Sequence, residues 1–137
     1  MKYEITVPAE LGKLKDVNDF IVEKLNELDC SPRAQIQLEI AIEEIFVNIA
    51  HYAYNPVIGK ATVRMDVDEE ANTVSLQFED EGTPYNPLSR EDPDITLGVE
   101  ERGVGGLGIY MTKKSMDDVG YSYEDGKNIL VITKKIK

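Results

Sequence analysis

Two runs of alternating residues, back to back near the middle of the chain, constrain the fold more than anything else in it. Ala61, Val63, Met65 and Val67 alternate with Thr62, Arg64 and Asp66, and Val74, Leu76 and Phe78 alternate with Ser75, Gln77 and Glu79. A period of two puts each apolar set on one face of a strand. The Glu-Glu-Ala-Asn turn between the runs predicts a hairpin. A second hairpin is predicted near the end, from 121–123 through Asp125-Gly126 to 129–134. At the front, residues 2–7 alternate, with Tyr3, Ile5 and Val7 on one side, and stop at Pro8, which suits a strand near a sheet edge.

Helical spacing fills the intervals. Leu14, Val17, Phe20, Ile21, Leu25 and Leu28 recur on one face over about 11–28. Ser31-Pro32 then offers an N-cap with proline in the first turn, opening a longer helix to about residue 54. Residues 79–105 are acidic and rich in Pro and Gly and read as a long loop, and a helix is expected over about 106–118. The order is β-α-α-β-β-loop-α-β-β. Strands that come mostly as hairpins rather than in βαβ units predict an α+β two-layer sandwich, with helices packed on one face of a mixed, mainly antiparallel sheet. A chain of 137 residues suits one domain, 1–137, with a core of its own.

That order decides what the glycines of Arg102-Gly-Val-Gly-Gly-Leu-Gly-Ile-Tyr-Met111 are not. Gly103, Gly105 and Gly108 satisfy G-x-G-x-x-G, but only 29 residues follow Gly108, too few for the strands a dinucleotide fold requires. The chain has no Gly-Lys-Ser or Gly-Lys-Thr and no protein-kinase motif set. What remains is a glycine loop feeding a helix N-terminus, where free N–H groups and the helix dipole hold an anion without basic side chains. A linker is the competing reading. The first suits a chain of net charge −11, which repels nucleic acid and anionic lipid and shows no basic patch; the lysines near the C-terminus read as solvated charge. Cys30 is the single cysteine, and the first residues carry no signal-peptide core, so a reducing cytoplasm is expected.

On the long helix, about 100° per residue brings Glu44, Asn48 and His51 into a narrow stripe with Gln37 on the same line. Leu38, Ile42, Ile45, Phe46 and Ile49 lie opposite. Either the stripe is a polar line in an apolar helix, or it is a solvated edge like Glu39 and Glu43. At the end of the second alternating run, Asp80 can accept from an exocyclic amine and Gly82 lets backbone pass close to a flat ring. An ordinary Asp-Gly-Pro turn is the alternative.

Glu44-x-x-x-Asn48 on a helix, Asp80-x-Gly82-x-Pro84 after a strand, and Gly103-x-Gly105-Gly106-x-Gly108 before a helix resemble, in order, the three nucleotide boxes of the GHKL ATP-binding fold of gyrase, histidine kinases and mismatch-repair ATPases. The layout, the Tyr-Asn-Pro after Pro84 and the run GGLGIYMTKKSMDDV are similar to the bacterial anti-sigma-factor serine/threonine kinases. The resemblance covers nearly the whole chain. It implies ATP and Mg²⁺ as cofactors, with Asn48 coordinating the metal. Asp80 would take the adenine amine, Gly82 would line the base, and Gly103, Gly105, Gly106 and Gly108 would lie at the phosphates under a lid. By the same resemblance Glu44 is the general base and Thr133 a hydroxyl supporting Asp80. Where the family carries histidine, this chain has Tyr52, with His51 before it. The implied partners are an anti-anti-sigma protein of the STAS type, phosphorylated on serine, and a sigma factor that is sequestered. A homodimer stays open, as does a non-catalytic ATP-dependent binding module of the same fold.

Overall fold

In the computed structural model, which describes residues 2–53, 59–89 and 106–137, the strands are β1 (Lys2–Pro8), β2 (Lys60–Asp68), β3 (Thr73–Asp80), β4 (Asp118–Glu124) and β5 (Lys127–Lys135). They form one sheet in the order β1-β2-β3-β5-β4. Every neighbouring pair is antiparallel, so the expected mixed character is absent among the described residues. The helices are α1 (Leu14–Glu27), α2 (Pro32–Asn48) and α3 (Gly106–Ser115).

Local chemistry sets the boundaries. Ser31 Oγ accepts the Ala34 N–H at 3.2 Å and Pro32 fills the first turn, so α2 begins where its cap is satisfied. Asp29, with φ of 53°, takes the left-handed conformation that ends α1. Asp125 and Gly126 both have positive φ, as the tight turn between β4 and β5 requires.

Two helix ends depart from expectation. The α-helix stops at Asn48, and Ile49–Ala53 continues as a π-helical turn; residue 54, the expected end, lies outside the described residues. α3 stops at Ser115 rather than near 118, because Asp118 is already in β4. Lys134 Nζ donates to the Ser115 carbonyl at 2.6 Å, so this lysine caps a helix C-terminus rather than being merely solvated.

The core lies between the sheet and the helices. Val17, Ile21 and Leu25 of α1 and Leu38, Ile42, Ile45 and Phe46 of α2 are buried against Val63, Met65, Leu76, Phe78 and Ile132. The alternation that predicted the strands is the alternation of burial along β2 and β3, and Asp80 continues the buried parity of β3 where an apolar residue would be expected. No helix among the described residues is long and apolar enough to cross a membrane.

Candidate nucleotide site

At the end of β3, Asp80 is only 5% exposed and stands opposite Asn128 of β5. The end of α2 and the start of α3 close over this corner of the sheet. They leave a cavity between the two helices and the sheet, open in part to solvent. Its walls are apolar: Ile45 and Ile49 from α2, Phe78 and Leu130 from the sheet, Ile109 from α3. Asn48, Asp80, Thr83 and Asn128 are the polar side chains on it, with Tyr85 and Tyr121 at its edge of aromatic rings. A flat apolar slot with a few polar groups is the form in which an aromatic base is buried and oriented.

Asp80 is held on one side only. Its Oδ1 accepts the Gly82 N–H at 2.9 Å and the Asn128 Nδ2 at 3.0 Å. Burial pushes its carboxyl above the ordinary value, and these two donors act against that rise. No fully buried side-chain nitrogen or oxygen among the described residues lacks a partner. Oδ2 takes neither donor, and Asp80 lines the cavity, so Oδ2 is the oxygen available to a ligand there.

One turn apart on α2, Asn48 Nδ2 donates to Glu44 Oε1 at 3.4 Å. A carboxylate oxygen accepts only, which fixes the amide nitrogen toward Glu44 and leaves Asn48 Oδ1 for another donor or a cation. Glu44 is half-buried, and desolvation raises its carboxyl above the ordinary range; the Asn48 bond opposes the rise and nearby Glu43 adds to it. Its carboxylate lies against Gly108 in the first turn of α3. A β-carbon built on Gly108 would fall inside contact distance of the Glu44 carboxyl carbon and both its oxygens.

The expected residues thus divide. The structure brings Asn48 and Asp80 to one cavity, with Glu44 beside Asn48 and against Gly108. Gly82 is not on the cavity wall; its contribution is its N–H to Asp80. Thr133 does not support Asp80. It pairs with Ser75, and the two hydroxyls are 3.1 Å apart, five residues along β5 from the position opposite Asp80. His51 falls on the π-helical turn, where the phase of the α-helical stripe no longer holds, and it is exposed. Gly106 opens α3, while Gly103, Gly105 and the rest of the expected lid from 90 to 105 lie outside the described residues. The residue that sequence reasoning missed is Asn128, 6% exposed and bonded to Asp80.

A donor set of one side-chain amide oxygen is a fair test of the implied metal. Among the described residues no group of three or more His, Cys, Asp or Glu side chains is placed to hold a metal ion. Mg²⁺ binds readily through one or two protein oxygens, with phosphates and waters completing its octahedron, so Asn48 fits it.

The antiparallel sheet under three helices, with an acidic acceptor at a strand end and a polar helix stripe beside a glycine-rich helix start, defines an ATPase-type α+β sandwich. Residues 7–134 match the family model described as histidine kinase-like ATPase domain, and the chain belongs to that family. Among curated relatives, serine-protein kinase RsbW of Bacillus cereus strain AH820 is 26% identical over 140 residues, covering 99% of this chain and 86% of that protein. RsbW of Bacillus thuringiensis strain Al Hakam matches at the same identity and coverage. Among solved structures, the RsbU and RsbW domains of a Mycobacterium tuberculosis protein superpose with a TM-score of 0.71 at 15% identity, over 99% of this chain. That likeness is one of fold, and this chain spans 32% of the length of that solved chain.

Proposed function

We propose that this chain, as one domain over 1–137, is an ATP-binding anti-sigma regulatory factor with serine/threonine protein kinase activity. It would phosphorylate an anti-anti-sigma partner and sequester a sigma factor, as a cytoplasmic protein. The observation that carries the reading is the convergence of a buried, half-satisfied Asp80 and the Glu44–Asn48 pair around one apolar cavity at the start of α3. The Bacillus relatives, which bear the name serine-protein kinase over almost the full chain, support it.

When bound, ATP supplies the phosphoryl group and Mg²⁺ offsets its charge. Asp80 Oδ2 would accept the exocyclic amine of the base, with Phe78, Ile109 and Leu130 excluding water from it. Asn48 Oδ1 would hold the cation. By the family resemblance, the N–H groups at the start of α3, with Gly106 and Gly108, would meet the phosphates, as would Gly103 and Gly105. Glu44 accepts the proton of the partner's serine hydroxyl; its raised affinity for protons, a consequence of burial, suits a base better than an exposed carboxylate would.

Glu44→Gln tests this assignment. The amide oxygen still accepts from Asn48 but no longer takes a proton, so ATP affinity should persist while phosphoryl transfer falls on the order of 10²-fold or more. The readout is labelled γ-phosphate on a co-purified anti-anti-sigma protein. Undiminished transfer would remove Glu44 as base. No transfer by the unaltered protein, despite tight ATP and partner binding, would favour the non-catalytic module.

A further inference from the structure

Asn128 makes more of its amide than any residue around the cavity. Nδ2 donates to Asp80 Oδ1 at 3.0 Å and to the Thr83 carbonyl at 2.9 Å; Oδ1 accepts the Tyr85 N–H at 3.0 Å and the Tyr121 hydroxyl. A backbone carbonyl can only accept and a backbone N–H can only donate. Thr83 and Tyr85 therefore fix which end of the amide faces which way, with no choice left to Asn128. The end facing Asp80 is always a donor.

Gly82 N–H, the second group on Asp80 Oδ1, is also a donor that cannot reverse. Both approaches to Oδ1 are thus occupied by hydrogens, which leaves no room for a proton of its own on that oxygen. We propose that Asn128 is a positioning residue for purine selectivity: its fixed donation to Oδ1 favours the ionised carboxyl, so that Oδ2 meets the cavity as an acceptor and the site chooses a 6-amino purine over a 6-oxo purine. The inference rests on the nucleotide reading of the cavity and deepens it. A 6-amino group donates to Oδ2; a 6-oxo group presents lone pairs to it, and a buried pair of acceptors with no hydrogen between them is costly. The Tyr121 hydroxyl, from β4, adds a second donor to the amide oxygen that already accepts from Tyr85.

Asn128→Asp is nearly isosteric and keeps both acceptor contacts, to Tyr85 and Tyr121, but loses both donors. Two carboxyls then face each other, and each raises the proton affinity of the other. Asp80 can then carry a hydrogen on Oδ2 and give it to a 6-oxo group.

The measurement is calorimetric affinity for ATP and for inosine triphosphate, each with Mg²⁺, on the full chain. Both ligands carry the same ribose and triphosphate, so their ratio cancels everything but the base edge. We expect the unaltered protein to prefer ATP, Asn128→Asp to lower that preference by roughly tenfold or more, and Asn128→Leu, which removes the donor to Asp80 without adding a carboxyl, to lower it in the same direction. General loosening of the site would weaken both nucleotides alike and leave the ratio standing. If Asn128→Asp fails to fold, Asn128→Leu decides, since it has a similar volume and removes the donor to Asp80 without placing a second carboxyl beside it. A protein that prefers ATP and keeps its preference in both variants overturns the role of Asn128 while leaving the nucleotide site intact. Equal binding of ATP and inosine triphosphate by the unaltered protein overturns it also. Binding of neither nucleotide overturns the nucleotide site itself, and this inference with it.

Discussion

Asp80 is a carboxylate placed where the strand's alternation calls for an apolar side chain, and its charge is costly there. Burial holds its proton more firmly than in water, with Asn128 and Gly82 opposing. An exocyclic amine needs the ionised form as acceptor. As pH falls through the range in which Asp80 takes up a proton, ATP must compete with that proton, so affinity should weaken toward acid. Titration calorimetry across pH, with Asp80→Asn as reference, checks this, because the variant has no proton to lose there. Affinity that does not change with pH in the unaltered protein would mean Asp80 does not meet the base. Asp80 was legible in the sequence as the polar residue ending an alternating run. Asn128 was not, because its role depends on β5 lying beside β3 in a register that places it opposite Asp80. Nothing within either strand states that register. Thr133 was misplaced for the same reason, on the correct strand but five residues from the position that matters.

At the scale of elements, α2 was legible in its apolar face and its cap. Its polar stripe was legible only as far as Asn48, since the change to a π-helical turn has no signature in a 100° periodicity. The contact between α2 and α3 was not legible at all. It gives Gly108 a role that its sequence did not show, namely room for the Glu44 carboxylate. Alanine is favoured over glycine inside a helix by about 1 kcal/mol, and the atoms a β-carbon would strike are the far end of a flexible side chain, which can swing aside. The fold should therefore tolerate Gly108→Ala, with a stability change of less than about 1 kcal/mol in either direction. Phosphoryl transfer should not tolerate it, because Glu44 would be displaced from beside Asn48. We expect a loss comparable to that of Glu44→Gln, read by the same transfer assay alongside a thermal melt. Full transfer by a well-folded Gly108→Ala variant would show that the position of Glu44 is not critical.

The whole molecule carries net charge −11, so raising the pH adds charge to a chain that already repels itself. Glu44 and Asp80 sharpen that dependence, and the sign follows from the direction of their shifts. Both carboxyls bind protons more firmly folded than unfolded, because folding removes water from them. Between the unfolded and the folded titration ranges the folded state holds more protons, so stability falls as pH rises. The contribution of the neutral forms is complete below the unfolded range and is lost as pH climbs through the raised folded range. This is the reverse of the usual salt-bridged carboxylate, and it is the pattern expected of groups retained for the proposed binding and chemistry at some cost to the fold. Asp80→Asn keeps an acceptor for Gly82 and Asn128 while removing the charge. It should raise the thermal midpoint near neutral pH by a few degrees and flatten the decline in stability from the ordinary carboxylate range up to neutrality. Urea denaturation at both ends of that range, on the unaltered protein and on Asp80→Asn, separates this local effect from general repulsion, which the two share almost equally. If the variant is no more stable near neutrality, or declines as steeply, the charge on Asp80 costs the fold nothing, and its burial must be relieved by partners other than Gly82 and Asn128.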